Sequence, residues 1–309
     1  VSARRVLGRR DFVLAVGGAL AACSRSERAS GDDQRPPLPS SPNVRLLEWD
    51  FGAQRWGQAR VVVVVPTWGT AQARFPVVVA LHGHGEAIKA PAEGAMGWPR
   101  DYALVRAIDR LRAPPLHDTD YLGFVDPAHV QAANASLALL PYGGAVVVCP
   151  WMPDFHLPAA ADIAEYARYL RDSVLPRVRR DTPALSSPEA TGIDGVSLGG
   201  FAALRIGLTF PDLFGAAGAV QPAIQDGQGP EWTALAQAAR ASRAGIKLRL
   251  MTSREDYFRS GILAVSRAWS AAGVQHDFAD FPGPHDYAFN RGPGSLELLM
   301  WHDRALAHA

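Results

Sequence analysis

The sequence predicts an α/β fold: a mostly parallel, doubly wound sheet with helices on both faces. Three observations predict it. Short all-apolar runs, such as 76–81 and 145–150, suit strands covered on both sides. Runs with an apolar face at helical spacing alternate with such strands, at 160–179, 232–244, 261–272 and 295–306. The 309 residues, 48% hydrophobic and 20% charged, have an ordinary globular composition and suffice for one large domain.

The elements follow in order. Residues 44–49 and 60–66 read as two strands with a turn over 51–58, an antiparallel edge that starts the sheet. Strands are expected next at 76–81 and 145–150. Between them, 86–144 is read as an insertion with helices at 101–111 and 127–140. Long insertions in compact domains are usually functional, and this one is expected to wall a cleft. Trp98, Tyr102, His117, Tyr121 and Phe124 are its candidate pocket residues; the alternative is that they only pack the insertion onto the body. A strand at 189–194 leads to a helical run from Phe201, and strands at 215–220, 247–251 and 276–281 complete the sheet. No repeat and no internal boundary divides 43–309, which is expected to be one catalytic domain.

The first 42 residues differ in character. Arg4, Arg5, Arg9 and Arg10 form a basic start, followed by an apolar run at 12–22 too short to span a bilayer. These are the charged and apolar regions of a signal peptide, assigned to 1–22. Arg9-Arg10-Asp11-Phe12-Val13-Leu14 resembles the twin-arginine export signal. Leu20-Ala21-Ala22-Cys23 resembles a bacterial lipobox, which implies cleavage before Cys23 and lipidation of its thiol. The rest of 23–42 is rich in Ser, Asp, Gly and Pro and reads as a flexible tether. An exported protein of the cell envelope is expected, on the periplasmic side, either anchored to the membrane by its N-terminal lipid or secreted.

Net charge is +1, and no basic stripe points to nucleic acid. Cys23 and Cys149 are the only cysteines, so there is no disulfide framework and no Cys/His zinc spacing. No cofactor and no metal is expected; His82 and His84 form an H-x-H pair, but nothing completes a ligand set.

The chemistry centres on Gly195-Val196-Ser197-Leu198-Gly199-Gly200, set between a strand and a helix. In that context G-x-S-x-G forms a sharp turn that presents the serine hydroxyl, the nucleophile elbow of the α/β-hydrolase fold. A serine hydroxyl needs a base, and in this fold the chain order is Ser, acid, His. His285 stands in a loop between the last strand and the last helix, at the carboxyl edge of the sheet; His276 lies at the wrong end of its strand, and His302 and His308 lie in the terminal helix. Asp256, after the preceding strand, is the first choice of acid, with Glu255 and Asp226 as competitors. Negative charge on the substrate oxygen needs backbone N–H donors. Leu198 is expected to supply one and the loop Leu81-His82-Gly83-His84-Gly85 the other, from His84 with Gly83 near.

With these residues located, the chain resembles the esterase branch of the α/β-hydrolases, the group of esterase D-like, feruloyl esterase and enterochelin esterase-type enzymes. The resemblance runs from about Arg60 onward and rests on Leu81-His82-Gly83, the elbow with its doubled glycine, Asp256, and Gly283-Pro284-His285-Asp286. It implies a Ser197–Asp256–His285 triad that hydrolyses small-molecule carboxylic esters through an acyl-enzyme. Acyl transfer or peptide hydrolysis on the same fold, and a non-catalytic binding lipoprotein, are the rival readings. The insertion matches no one member of the group.

Overall fold

The structure, a computed structural model, describes residues 39–155 and 160–307. The expected signal peptide, Cys23, most of the tether and His308 lie outside the described residues. No helix among the described residues is long and apolar enough to cross a membrane.

Eight strands form one sheet: β1 (Val44–Gln54), β2 (Gly57–Pro66), β3 (Val77–Leu81), β4 (Val146–Pro150), β5 (Thr191–Gly195), β6 (Ala216–Val220), β7 (Lys247–Glu255) and β8 (Asp277–Pro284). Their spatial order is β1-β2-β4-β3-β5-β6-β7-β8. The β1–β2 and β2–β4 pairs are antiparallel and the others parallel. This is the α/β-hydrolase fold. The expected antiparallel edge is present, but its turn is tighter: only Arg55 and Trp56 separate β1 from β2, and Gly57 has φ +117°.

The apolar strands read as they do because both faces are covered. Val61, Val63 and Val65 of β2 enter one core and Val62 and Val64 the other. In β3, Val77, Val79 and Leu81 likewise oppose Val78 and Ala80. Fully burying each of these valine and leucine side chains stabilises the fold by about 1.5–3 kcal/mol. The main helices are α1 (Leu104–Arg112), α2 (Pro127–Leu139), α3 (Ala160–Tyr169), α4 (Leu175–Asp181), α5 (Leu198–Thr209), α6 (Gly229–Ser242), α7 (Arg259–Ala271) and α8 (Ser295–Ala305). The first core holds residues of α3 to α7, among them Tyr166, Phe201, Trp232 and Trp269. The second holds residues of α1, α2 and α8, among them Ile108, Leu137 and Leu299.

The 86–144 segment therefore supplies most of one helical layer as well as a wall. Its expected first helix starts late, at Leu104, because a π-helical turn, Gly97–Asp101, precedes it. The single helix expected over 160–179 is likewise broken by a π turn, Leu170–Val174. A third π turn, Asn290–Gly294, precedes α8. Pro99 and Pro293 lie inside two of these turns and Pro176 lies two residues beyond the other; a proline's missing N–H and bulky ring disrupt the regular ladder. Ahead of β1, Ser41 and Asn43 both bond the Asp109 carboxylate, at 2.5 and 2.7 Å.

Two strands run further than their apolar cores. β7 continues through buried Thr252 and Ser253 to Glu255, and β8 continues through Gly283 to Pro284. After a register shift, Glu255 pairs with Pro284. Asp256 and His285 are the next residues on these neighbouring strands, so pairing alone brings them side by side. β8 is an edge strand, where Pro282 and Pro284 are tolerated.

Candidate active site

Ser197 sits between β5 and α5 with φ 55° and ψ −116°, a backbone conformation strained for any residue with a Cβ. Its surroundings hold it there. The Val196 N–H donates to the Leu81 carbonyl (3.1 Å), and the Ser197 N–H donates to the Val220 carbonyl (3.0 Å). The Ser197 carbonyl accepts from Ala223 (3.0 Å). The flanking glycines are required by close approach. A Cβ on Gly195 would stand 2.4 Å from the Gly199 oxygen, and one on Gly199 would stand 2.3 Å from the His82 oxygen.

The imidazole of His285 faces Asp256, with Nδ1 and Oδ1 2.8 Å apart. Asp256 is buried and accepts two further hydrogen bonds, from Thr252 Oγ1 (2.8 Å, to Oδ2) and the Phe258 N–H (2.9 Å, to Oδ1). Its orientation is thereby set from three directions. Of the competing acids, Glu255 and Asp226 are both exposed. The Tyr257 ring stacks on the imidazole, centroids 4.3 Å apart and planes at 29°, while Phe258 meets it edge-on at 5.5 Å. With Nδ1 on Asp256, Nε2 is the nitrogen left for chemistry, and His285 and Ser197 line the same cleft. That cleft is narrow, with about 20 Å³ open to the centre of a water-sized molecule.

The other histidines do different work. His276 bonds Ser266 Oγ (2.8 Å) and packs on Trp269. His302 is buried against Asp194, with Nε2 3.0 Å from Oδ2; burial lowers its pKa more than Asp194 raises it. Arg249 completes that buried group, 2.8 Å from the same carboxylate, whose other oxygen accepts the Gly195 N–H at 2.8 Å. His82 accepts the Met152 N–H on Nε2 and donates from Nδ1 to the Gly83 carbonyl, both at 2.9 Å, and burial lowers its pKa. It braces the loop rather than facing the cleft. His84 Nδ1 lies 3.4 Å from Asp154. No cluster among the described residues has a metal-holding arrangement.

The expected oxyanion donors separate. Leu198 opens α5, and His84 opens the helical turn His84–Ala87. Backbone N–H groups at such first positions point out of the helix. Gly83 does not join them, because its N–H donates to the Tyr102 hydroxyl at 3.1 Å. Tyr102 in turn donates to Glu86 Oε2. Glu86 is buried, and its Oε1 also accepts from the Tyr287 hydroxyl (2.6 Å) and from Lys89 (3.0 Å). Burial lowers the Lys89 pKa, but Glu86 and Asp101, 3.1 Å away, outweigh it and hold the ammonium above its ordinary value. Burial, and then the Glu86 charge, push the Tyr102 phenol far up, so it stays a donor.

Of the expected pocket residues, only Tyr102 lines the cleft. Trp98 is buried with Nε1 on the Leu81 carbonyl (2.9 Å), Tyr121 bonds Glu297 (3.1 Å), Phe124 packs on Phe289, and His117 is exposed. The sequence reading missed Glu86, Tyr257 and Tyr287. Tyr287, two residues after His285, was within reach of a motif-based search, whereas nothing local marks Glu86 as buried.

A family model described as "Putative esterase" matches residues 128–290. No curated protein sequence matches the chain. Among solved structures, the chain is similar to an S-formylglutathione hydrolase from Staphylococcus aureus, at 18% identity and TM-score 0.58, covering 86% of this chain and 99% of that one. It is similar to a ferulic acid esterase from Anaeromyces mucronatus, at 17% identity and TM-score 0.55, covering 87% and 92%. It is also similar to the enterobactin esterase from Shigella flexneri, at 19% identity and TM-score 0.56, covering 85% and 60%. At these identities the likenesses show a shared fold.

Proposed function

The chain belongs to this esterase family, and we propose that it cleaves carboxylic esters through an acyl-enzyme on Ser197, with His285 as base and Asp256 as its orienting acid. His285 Nε2 takes the Ser197 hydroxyl proton as Oγ attacks the ester carbonyl carbon. The resulting oxyanion is stabilised by the N–H groups of Leu198 and His84. On collapse, His285 passes the proton to the leaving oxygen, and the alcohol departs. Water, deprotonated by the same nitrogen, then attacks the acyl carbon and restores Ser197 with release of the acid. Asp256 keeps the Nδ1–H tautomer and stabilises the imidazolium between steps.

The observation that carries this reading is the strained Ser197 turn in one cleft with a His285 already bonded to a buried Asp256. The narrow cleft makes short-chain esters the first substrates to try. A fluorophosphonate reagent should label the wild type and not Ser197→Ala, and that variant should lose about 10⁴-fold or more in ester turnover. Turnover persisting in Ser197→Ala would falsify the mechanism.

We further propose that 1–22 directs export and that Cys23 is lipidated, on the strength of Arg9-Arg10 and Leu20-Ala21-Ala22-Cys23. The Cys23→Ala variant should leave the membrane fraction; if it stays there unchanged, the anchor lies elsewhere.

A further inference from the structure

We infer that Gln221 is a positioning residue that holds the His285 and Asp256 loops in register with the nucleophile, an inference that rests on the triad reading above. Gln221 follows Val220, the residue whose carbonyl accepts the Ser197 N–H. It is fully buried and has φ 44°, and it precedes a proline, where an L-residue is still less at ease in that region. Strain of this kind persists only where the surroundings impose it, and it clusters at functional sites.

The side chain reaches both other catalytic loops. Its Nε2 donates to Ser253 Oγ at 2.7 Å and to the Pro284 carbonyl at 2.9 Å. Ser253 lies three residues before Asp256, and Pro284 immediately precedes His285. Ser253 Oγ also leans on the Pro284 carbonyl, at 3.4 Å. The Gln221 N–H adds a 2.6 Å bond to the Met251 carbonyl of β7. One amide therefore joins the strand beside Ser197, the end of β7 and the end of β8. These bonds also settle the amide's orientation, since the reversed amide would set its oxygen against the Pro284 oxygen. The price is a buried Oε1 with no hydrogen-bond partner among the described residues. An apolar residue of the same length would avoid that cost, so packing alone does not account for glutamine here.

The step being positioned is proton transfer from Ser197 through His285, which tolerates little displacement; an ångström of error costs as much as about 100-fold. In Gln221→Met the volume stays and both donors go. We expect kcat to fall about 10- to 100-fold with KM within about twofold, because no substrate contact is removed. Ser253→Ala keeps the Gln221–Pro284 bond and should lose less, and the double variant should be no worse than Gln221→Met alone. A folded Gln221→Met with wild-type kcat overturns the inference. If Gln221→Met does not fold, Ser253→Ala decides: a lowered kcat at unchanged KM supports the inference, and an unchanged kcat overturns it. Wild type that neither turns over esters nor takes the fluorophosphonate label would instead defeat the triad reading itself.

Discussion

The nucleophile elbow and the 86–144 segment both border Ser197, but they are held in place by different means. The elbow is local. Within Gly195 to Gly200 the backbone turns on glycines whose absent Cβ atoms admit the neighbouring carbonyls, and its hydrogen bonds run to adjacent strands. The 86–144 segment is held from far along the chain. Glu86 bonds Tyr287 (2.6 Å), the Asp101 carbonyl accepts from Arg291 (2.9 Å), the Tyr102 carbonyl accepts from Ser295 (2.6 Å), and His129 pairs with Glu297 (2.7 Å). All four partners lie between 287 and 297, just beyond His285. One wall of the cleft is thus set by backbone geometry, and the other is clasped to the chain that follows His285. The first is expected to be brittle toward single atoms and the second toward the loss of polar partners.

The largest expected effect tests the common centre. Asp256→Asn should lower kcat about 10⁴-fold by favouring the wrong imidazole tautomer, while Glu255→Gln, on the exposed neighbour, should leave steady-state kinetics near wild type. Equal losses in the two would remove the distinction between them.

Next comes the brittleness of the elbow. Gly199→Ala sets a Cβ against two backbone oxygens, those of His82 and Leu81, at 2.3 and 2.4 Å, and neither can rotate away. A loss of about 3 kcal/mol in chemical denaturation is expected. Leu139→Ala, at a position of the insertion that is 88% exposed, should stay within about 0.5 kcal/mol.

For the clasp, Glu86→Gln keeps the side chain's shape but withdraws the carboxylate that Tyr102, Tyr287 and Lys89 share. A roughly tenfold drop in kcat is expected, the equivalent of about one good hydrogen bond, through a loosened Tyr102–Gly83 contact. Steady-state kinetics on a short-chain ester will measure it, and an unchanged kcat would show that the clasp does not reach the proposed oxyanion donors.

The smallest effects concern pH and run in opposite directions. At His129 burial lowers the pKa, but the hydrogen bond and charge of Glu297, with Asp126 behind, raise it above the ordinary value. Its contribution to stability is therefore full below about pH 6.5, the unfolded value, and is lost as pH rises through the folded pKa. His302 is the reverse: burial lowers its pKa, so stability falls as pH drops below about 6.5 toward the folded value. Thermal melts of His129→Gln and His302→Gln against wild type should show the first difference fading at high pH and the second variant losing part of the acid destabilisation. Parallel pH trends in the two would refute the assignment.

Much of this was legible in the sequence. Valine runs in β2, β3 and β4 announce strands covered on both faces, and the six-residue elbow announces its own turn, because both signals live in neighbouring residues. Chain order and position at the carboxyl edge of the sheet single out Ser197, Asp256 and His285. The preference for Asp256 over Glu255 acquired its physical basis only when β7 and β8 were seen to run on to Glu255 and Pro284, burying one carboxylate and exposing the other. Of the two readings open for the aromatic residues of the insertion, packing holds for Trp98 and Tyr121 and lining for Tyr102, because sequence does not distinguish a ring that packs from a ring that lines.

By itself, then, the sequence determined what short-range physics determines: strand and helix, the strained serine turn, and the residue types able to serve as base and acid. The tertiary structure alone decided that Glu86 is buried beside the loop after β3, that Tyr102 takes the Gly83 N–H, and that Gln221 ties two loops to the strand beside Ser197. Those contacts join residues from about 16 to 200 positions apart. Most of them exist only once the sheet and its two helical layers have packed, since no local pattern specifies which distant partner a polar side chain will meet.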